Sequence, residues 1–312
     1  MVPQVLLDCD TGIDDSLALI YASALHLAGE IELCGVTCTA GNTTAQQAAS
    51  NSRYVLSRCG ITDIPVVAGE PGPLEVELVT TPETHGLTGL GYLQASPEPP
   101  LEPSQEWRDL WERHPQAHVI VLGPATHLAL WGAWPEATLM GGAYLYPGNT
   151  TPTAEWNSWV DPHAAKRAFA QAREPITVCS LGVTERFTLD PDSLGALIEA
   201  LGEVPIAREL PELLRFYFEF HRDQGEGYLA QIHDLFTCMI ALGKVDFEAT
   251  AARVDVEADS ALLRGTTVAD LRGHWQGKPN ALLVREADVQ GGHRELLRAA
   301  ALLREQWDKR EK

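Results

Sequence analysis

Short apolar runs recur along the chain, and each closes on Gly, Asn or Asp before a segment with helical spacing begins. Residues 5–9 read as the first strand and 14–26 as the first helix. The pair repeats at 31–38 and 43–59, and 65–68 reads as a short third strand. Residues 118–122 then lead into a helix near 125–131. Further strands are expected at 137–140 and 176–179, with a helix at 161–171 between them. This alternation predicts a single α/β domain over 1–312: a mainly parallel central sheet flanked by helices. Such sheets bind ligands at the C-terminal ends of their strands.

Two segments break the rhythm. Residues 69–104 are rich in Pro and Gly and read as a long functional loop over the sheet edge. Residues 205–242 read as helices. The stretch 208–220 is amphipathic and carries Phe216, Tyr217, Phe218 and Phe220, which suits either a cap or a plain packed helix pair. Residues 292–309 read as an amphipathic closing helix.

Composition narrows the function. Of the 312 residues, 45% are hydrophobic and 21% charged, the profile of a globular chain rather than a disordered one. No apolar run is long enough for a membrane span, and no basic or apolar leader precedes residue 5, so a cytoplasmic location is expected. The net charge of −20 argues against nucleic-acid or anionic-membrane partners, which require the opposite field. The six cysteines form no CxxC pair, so buried free thiols are expected rather than a zinc or redox site.

The chemistry concentrates after the first strand. Asp8, Asp10, Asp14 and Asp15 place four carboxylates within eight residues, where a buried strand turns into a helix. Strand alternation puts Asp8 and Asp10 on one side. Asp14 and Asp15 fall in the first helical turn, where the helix dipole favours negative charge. An N-cap accounts for one aspartate, not four. Crowded carboxylates need a cation or protons to relieve them, and a many-oxygen site leans towards Ca²⁺. Other strand ends carry Gly41-Asn42, Gly123-Pro124-Ala125-Thr126, Met140-Gly141-Gly142-Ala143, Asn149, Glu155-Trp156-Asn157 and His233-Asp234. Singly these suit turns and caps; together they are groups that read a polyol's hydroxyls.

Asp8-Cys9-Asp10-Thr11-Gly12-Ile13-Asp14-Asp15 resembles the signature of the inosine–uridine-preferring nucleoside hydrolases. The likeness runs through Gly41-Asn42, His85-Gly86-Leu87-Thr88-Gly89-Leu90-Gly91, Gly123 to Thr126, Asn149 to Asn157, and His233-Asp234. It implies a Ca²⁺-dependent enzyme that splits the N-glycosidic bond of a small-molecule ribonucleoside into base and ribose, acting as a homo-oligomer (dimer or tetramer). Asp10, Asp15, the Thr126 carbonyl and Asp234 match calcium ligands. Asp14 matches the general base, and His233 a histidine beside the base that protonates it as it leaves. Asn42, Asn149, Glu155 and Asn157 match ribose-binding positions, while His85 and Trp156 are read as further substrate contacts.

Blander roles stand beside these. His233 suits a helix N-terminus, Trp156 suits packing, and Gln224 and Tyr228, four apart on one expected helix face, suit either base contact or solvent. Thr11, Thr88, Trp156 and Leu235 depart from the family pattern in or near the base pocket, which leaves the preferred base open. Two rival functions fit less well. A haloacid-dehalogenase-like phosphatase wants Thr or Val where Gly12 stands. A non-catalytic calcium-dependent sugar-binding protein has no use for Asp14.

Overall fold

The computed structural model describes residues 2–93 and 101–310; the part of the expected loop at 94–100 lies outside them. Strands β1 (Gln4–Cys9), β2 (Glu32–Cys38) and β3 (Val66–Ala68) alternate with helices α1 (Ile13–Leu27) and α2 (Ala45–Arg58). Helices α3 (Pro82–His85) and α4 (Glu106–Arg113) precede β4 (His118–Val121), α5 (Thr126–Trp131) and β5 (Ala137–Met140). Then come α6 (Trp156–Val160), α7 (Pro162–Gln171), β6 (Ile176–Cys179), α8 (Leu181–Thr184), β7 (Thr188–Leu189) and α9 (Pro191–Leu201). The chain closes with α10 (Leu210–Asp223), β8 (Ala230–Gln231), α11 (His233–Ala241), β9 (Phe247–Val256), β10 (Thr267–Asp270), β11 (Ala281–Ala287) and α12 (Val289–Arg310).

Nine strands form one sheet in the order β10-β9-β11-β6-β5-β4-β1-β2-β3. The seven from β11 to β3 run parallel, and β9 and β10 add an antiparallel edge. This is the expected α/β class. The antiparallel edge is not among the strands the sequence predicts: Phe247–Val256 alternates only in its second half, where Ala252, Val254 and Val256 are buried and Arg253 and Asp255 exposed, while residues 247, 248, 250 and 251 are all exposed.

Both faces of the sheet are covered, which is why β1 reads as an unbroken apolar run. Val5, Leu7 and Cys9 pack with α1, α2 and the helices from α9 onward. Leu6 faces the opposite layer, built from Trp107 and Trp111 of α4, Leu128 of α5 and Ala164 of α7. All six cysteines are buried and free. No helix among the described residues is long and apolar enough to cross a membrane.

The order of strands fixes where a ligand belongs. From β1 the chain steps outward to β2 and β3, then returns to place β4 on the other side of β1. Connections diverge between β1 and β4, opening a crevice at their C-terminal ends. Asp10 follows β1 there, and Gly123-Pro124-Ala125-Thr126 follows β4.

Candidate active site

Two helix N-termini meet at this crevice. Helix α1 carries Asp14 and Asp15 in its first turn and packs against α11, whose first turn carries Asp234. Carboxylate oxygens of these three buried residues all lie within 4.8 Å of one another. Asp10 sits just behind them, its Oδ2 accepting from the Asn42 backbone N–H at 2.7 Å. Room for it comes from Gly41, where a Cβ would fall 2.1 Å from that oxygen.

Burial pushes all four carboxyls up. Asp14 rises to about 7, by burial and then by the Asp15 charge. Asp10 and Asp234 lie well above the usual carboxylate range, by burial and then by neighbouring aspartates, and Asp15 is raised by burial. The dipoles of α1 and α11 offset part of this repulsion. Oδ1 of Asp14, Oδ1 of Asp15 and Oδ1 of Asn42 are buried with no hydrogen-bond partner. Buried polar atoms are rarely left so, and oxygens without donors suit a hard divalent cation. The residues present fit a metal.

The fourth aspartate of the motif does something else. Asp8 faces the opposite layer, where its Oδ1 meets His127 Nδ1 at 2.7 Å and the Thr37 hydroxyl at 2.7 Å. The Glu70 N–H donates to His127 Nε2, so Nδ1 carries the proton towards Asp8. The expectation that Asp8 shares a side with Asp10 fails because β1 ends at Cys9 and Asp10 lies in the following turn.

A cavity of about 560 Å³ opens over the cluster. Asp14, Asn42, His85, Asn149, Glu155, Trp156, Asn157, His233 and Asp234 line it; Asp10, Asp15 and Thr126 lie behind its wall. Several of these groups already have work. Glu155 caps α6, with Oε1 accepting from the Asn157 N–H at 2.7 Å and Oε2 from the Ser158 and Gly142 N–H groups at 3.0 and 2.8 Å. Asn149 Oδ1 accepts from the Trp156 N–H at 3.0 Å, and Asn157 Nδ2 donates to the Leu122 carbonyl at 2.7 Å. Trp156 stacks on Trp159 with its buried Nε1–H unpartnered. Thr126 donates its hydroxyl to Asp161 at 2.9 Å, which fixes the start of α5.

At the far end, hydrogen-bond direction sets the imidazoles. The Ile13 N–H donates to His85 Nδ1 at 3.1 Å, so His85 keeps an Nε2–H. His233 Nδ1 lies 2.9 Å from the Thr184 hydroxyl, whose own proton goes to the Ser180 carbonyl. His233 therefore donates through Nδ1 and presents an Nε2 lone pair. Burial pushes both histidines down to about 3. As arranged, His233 has no cavity-side proton to give, whereas His85 offers an N–H.

Sequence reasoning missed Tyr217, Phe220, His221, Glu185, Glu226 and Gln231, which complete this end. The aromatic face of 208–220 was the available signal. Gln224 lines the cavity, but Tyr228 packs on Phe218 instead. Helix α10 stops at Asp223, so the i, i+4 relation does not hold.

Comparison with known proteins agrees with this architecture. The family model "Inosine-uridine preferring nucleoside hydrolase" matches residues 5–293. The chain is 34% identical over 308 residues to the pyrimidine-specific ribonucleoside hydrolase RihA of Escherichia coli O9:H4 (strain HS), covering 93% of this chain and 96% of that one. The protein of the same name from Salmonella paratyphi B is 33% identical over the same shares. Among solved structures, the plant nucleoside hydrolase PpNRh1 superposes with a TM-score of 0.80 at 25% identity, covering 98% of this chain and 99% of that one. A purine-preferring ribonucleoside hydrolase from Gardnerella vaginalis reaches 0.83 at 23% identity, over 96% and 99%, a likeness of fold alone.

Proposed function

Since the chain belongs to the inosine–uridine preferring nucleoside hydrolases and is a nucleoside N-ribosyl hydrolase, we propose that it cleaves pyrimidine ribonucleosides with Ca²⁺ held at the acidic cluster. One observation carries the reading: Asp14, Asp15 and Asp234 converge at the sheet's switch point, where Oδ1 of Asp14 and Oδ1 of Asp15 are buried without a partner. The pyrimidine preference rests on relatives a third identical over nearly their whole length that bear that name.

Asp10, Asp15, Asp234 and the Thr126 carbonyl are the ligands in this reading. When bound, the cation supplies Lewis acidity that makes water easier to deprotonate and anchors ribose hydroxyls. Everything else falls to the chain. Asp14 takes the proton of the attacking water, a carboxylate whose affinity for protons burial has raised into the working range. The acidic surroundings favour the positive charge that develops on the ribose ring as the bond to the base lengthens. Asn42 and Asn157 bind the ribose hydroxyls, and Asn149 and Glu155 hold the 5′ end. Glu155 has bonding capacity left after its three backbone contacts. His85 gives a hydrogen bond to the departing base through Nε2–H, and His233 accepts one through Nε2.

The test is ribose release from uridine, deoxyuridine and uridine monophosphate, before and after chelation. Uridine should be cleaved, lose turnover with chelator, and regain it with Ca²⁺. Deoxyuridine should be cleaved at least about 10²-fold less efficiently, because groups built for its missing hydroxyl are left unpaired. The monophosphate should be poor because of repulsion from Glu155. Full turnover by metal-free protein refutes the metal role, and equal rates on deoxyuridine refute the sugar site.

A further inference from the structure

Asp8, the first aspartate of the motif, does not reach the cavity, yet it ties together segments on which the acidic cluster stands. Its Oδ1 accepts two hydrogen bonds, from the Thr37 hydroxyl of β2 at 2.7 Å and from His127 Nδ1–H at 2.7 Å. His127 is the second residue of α5 and directly follows Thr126. At its other nitrogen the ring accepts from the Glu70 N–H at 2.9 Å, in the segment that leaves β3. That segment passes so close that a Cβ at Gly69 would fall 2.2 Å from the same nitrogen. Trp107 stacks on the ring at 4.4 Å. One carboxylate oxygen and one imidazole thus join the ends of β1, β2 and β3 to the start of α5.

Packing alone does not call for this pair. Both side chains are fully buried in the layer of Trp107, Trp111 and Leu128, where apolar side chains of similar volume hold a fold at least as well as a buried polar pair. Asp8 Oδ2 is also buried with no partner, which is a standing cost. What the pair does hold is the spacing of the crevice. Asp10, two residues after Asp8, is wedged against the end of β4, where a Cβ at Gly123 would fall 2.9 Å from its Oδ1. Thr126 opens α5, a six-residue helix without a side-chain cap, so its first turn takes its place from tertiary bonds. The Thr126 hydroxyl donates to Asp161 at 2.9 Å, and His127 donates to Asp8. The peptide that carries the Thr126 carbonyl is therefore gripped at both ends.

We propose that Asp8 and His127 are positioning residues for the divalent cation: from the opposite face of the sheet they set the spacing between Asp10 and the Thr126 carbonyl. The proposal rests on the metal reading of the acidic cluster and adds to it the groups that fix its geometry. Neither residue touches the cation or the substrate. A carboxylate and a carbonyl already held at the right separation need no reorganisation when the ion arrives. Loosening them weakens binding even where the fold survives, as the loss of partners behind metal ligands does.

Calorimetric titration of the metal-free protein with Ca²⁺, beside thermal melts of the metal-free form, tests this. In the Asp8→Leu/His127→Phe variant the pair becomes apolar, so the metal-free Tm should match or exceed that of the wild type. Its Ca²⁺ Kd should nevertheless rise about 10-fold or more. Asp8→Asn removes the charge but keeps an oxygen where Thr37 and His127 donate, and should hold the Kd within about 3-fold of the wild type. Should the double variant fail to fold, Thr37→Val, which removes one of the two bonds on Oδ1, should raise the Kd by about 3-fold or more. A folded double variant with the wild-type Kd overturns the proposal, and so does a wild-type Kd in Thr37→Val where the double variant does not fold. An Asp8→Asn loss as large as that of the double variant overturns it too, since charge rather than bonding would then be at work. A wild type that binds no Ca²⁺ overturns the metal reading itself and this proposal with it.

Discussion

Removing the cation should make the protein's stability fall as pH rises, and the size of the effect follows from Asp14. In the metal-free chain its carboxyl is pushed from 3.8 up to about 7, chiefly by burial and then by Asp15. A folded-state pKa raised above the unfolded value favours folding below about pH 4, and that contribution is lost as pH climbs through 7. A shift of this size corresponds to about 4 kcal/mol from Asp14 alone; Asp10, Asp15 and Asp234 are raised as well and act in the same direction. A bound cation neutralises the cluster and removes the loss. For a chain of this size about 4 kcal/mol corresponds to a Tm gap of roughly 6 °C. Thermal melts in chelator and in excess Ca²⁺, at pH 5, 6, 7 and 8, should show a gap that widens with pH, and wider for Ca²⁺ than for Mg²⁺. Equal Tm values at pH 8, or a gap no larger at pH 8 than at pH 5, would refute the argument that these carboxylates share a metal.

Asp14→Asn keeps the shape but cannot accept a proton, so kcat should drop at least about 10²-fold with KM changed far less; a loss of only a few-fold would demote Asp14 to a structural or sugar-binding role. His85→Ala should slow uridine cleavage by about 10²-fold while sparing a nitrophenyl riboside, whose leaving group needs no help. If His233→Ala instead shows that selectivity, His233 is the donor and the tautomers drawn from Thr184 and Ile13 are wrong. Away from the site, Glu30 bonds Arg298 at 2.5 Å and Lys244 at 2.6 Å, and its carboxyl is lowered to about 2, first by Arg298. A depressed pKa gives stability above about pH 4.5 that is lost as pH falls through 2, so Glu30→Gln should be destabilised in urea at pH 7 and match wild type near pH 2.

The parallel half of the sheet was legible because its strands are buried on both faces and read as continuous apolar runs. The cluster at the end of β1 was legible because an N-cap cannot account for four aspartates in eight residues. What escaped had weaker local signals. Strand β9 alternates cleanly only in its second half, and the four-residue α3 sits in the Pro- and Gly-rich stretch that looked like loop. Asp8 was miscounted among the site groups, since its partner His127 is 119 residues away and no spacing announces it. The base end suffered most. The aromatic face of α10 showed that one side is buried, but nothing local says that Tyr217 and His221 face a cavity.

That difference in legibility reflects how the two ends of the cavity are built. The ribose end stands on the ends of β1 and β4 and on the first turns of α1 and α11, held by backbone contacts such as the Asn42 N–H on Asp10 and the three N–H groups on Glu155. A substitution there removes a ligand or leaves a buried group unpaired, which is costly. The base end is assembled from side chains of α10, α11 and the turns around Glu185 and Glu226. Several of them are half-exposed and bear little of the core, so they can change without disturbing the hydrolytic half. Thr11 marks the border. Its carbonyl accepts from Asn51 Nδ2 at 3.0 Å, and the same amide donates to the Thr88 carbonyl at 2.7 Å in the loop that carries His85. One buried side chain thus ties the aspartate turn to the base loop. A site divided in this way can keep one way of breaking the glycosidic bond while the residues around the leaving group set which base departs.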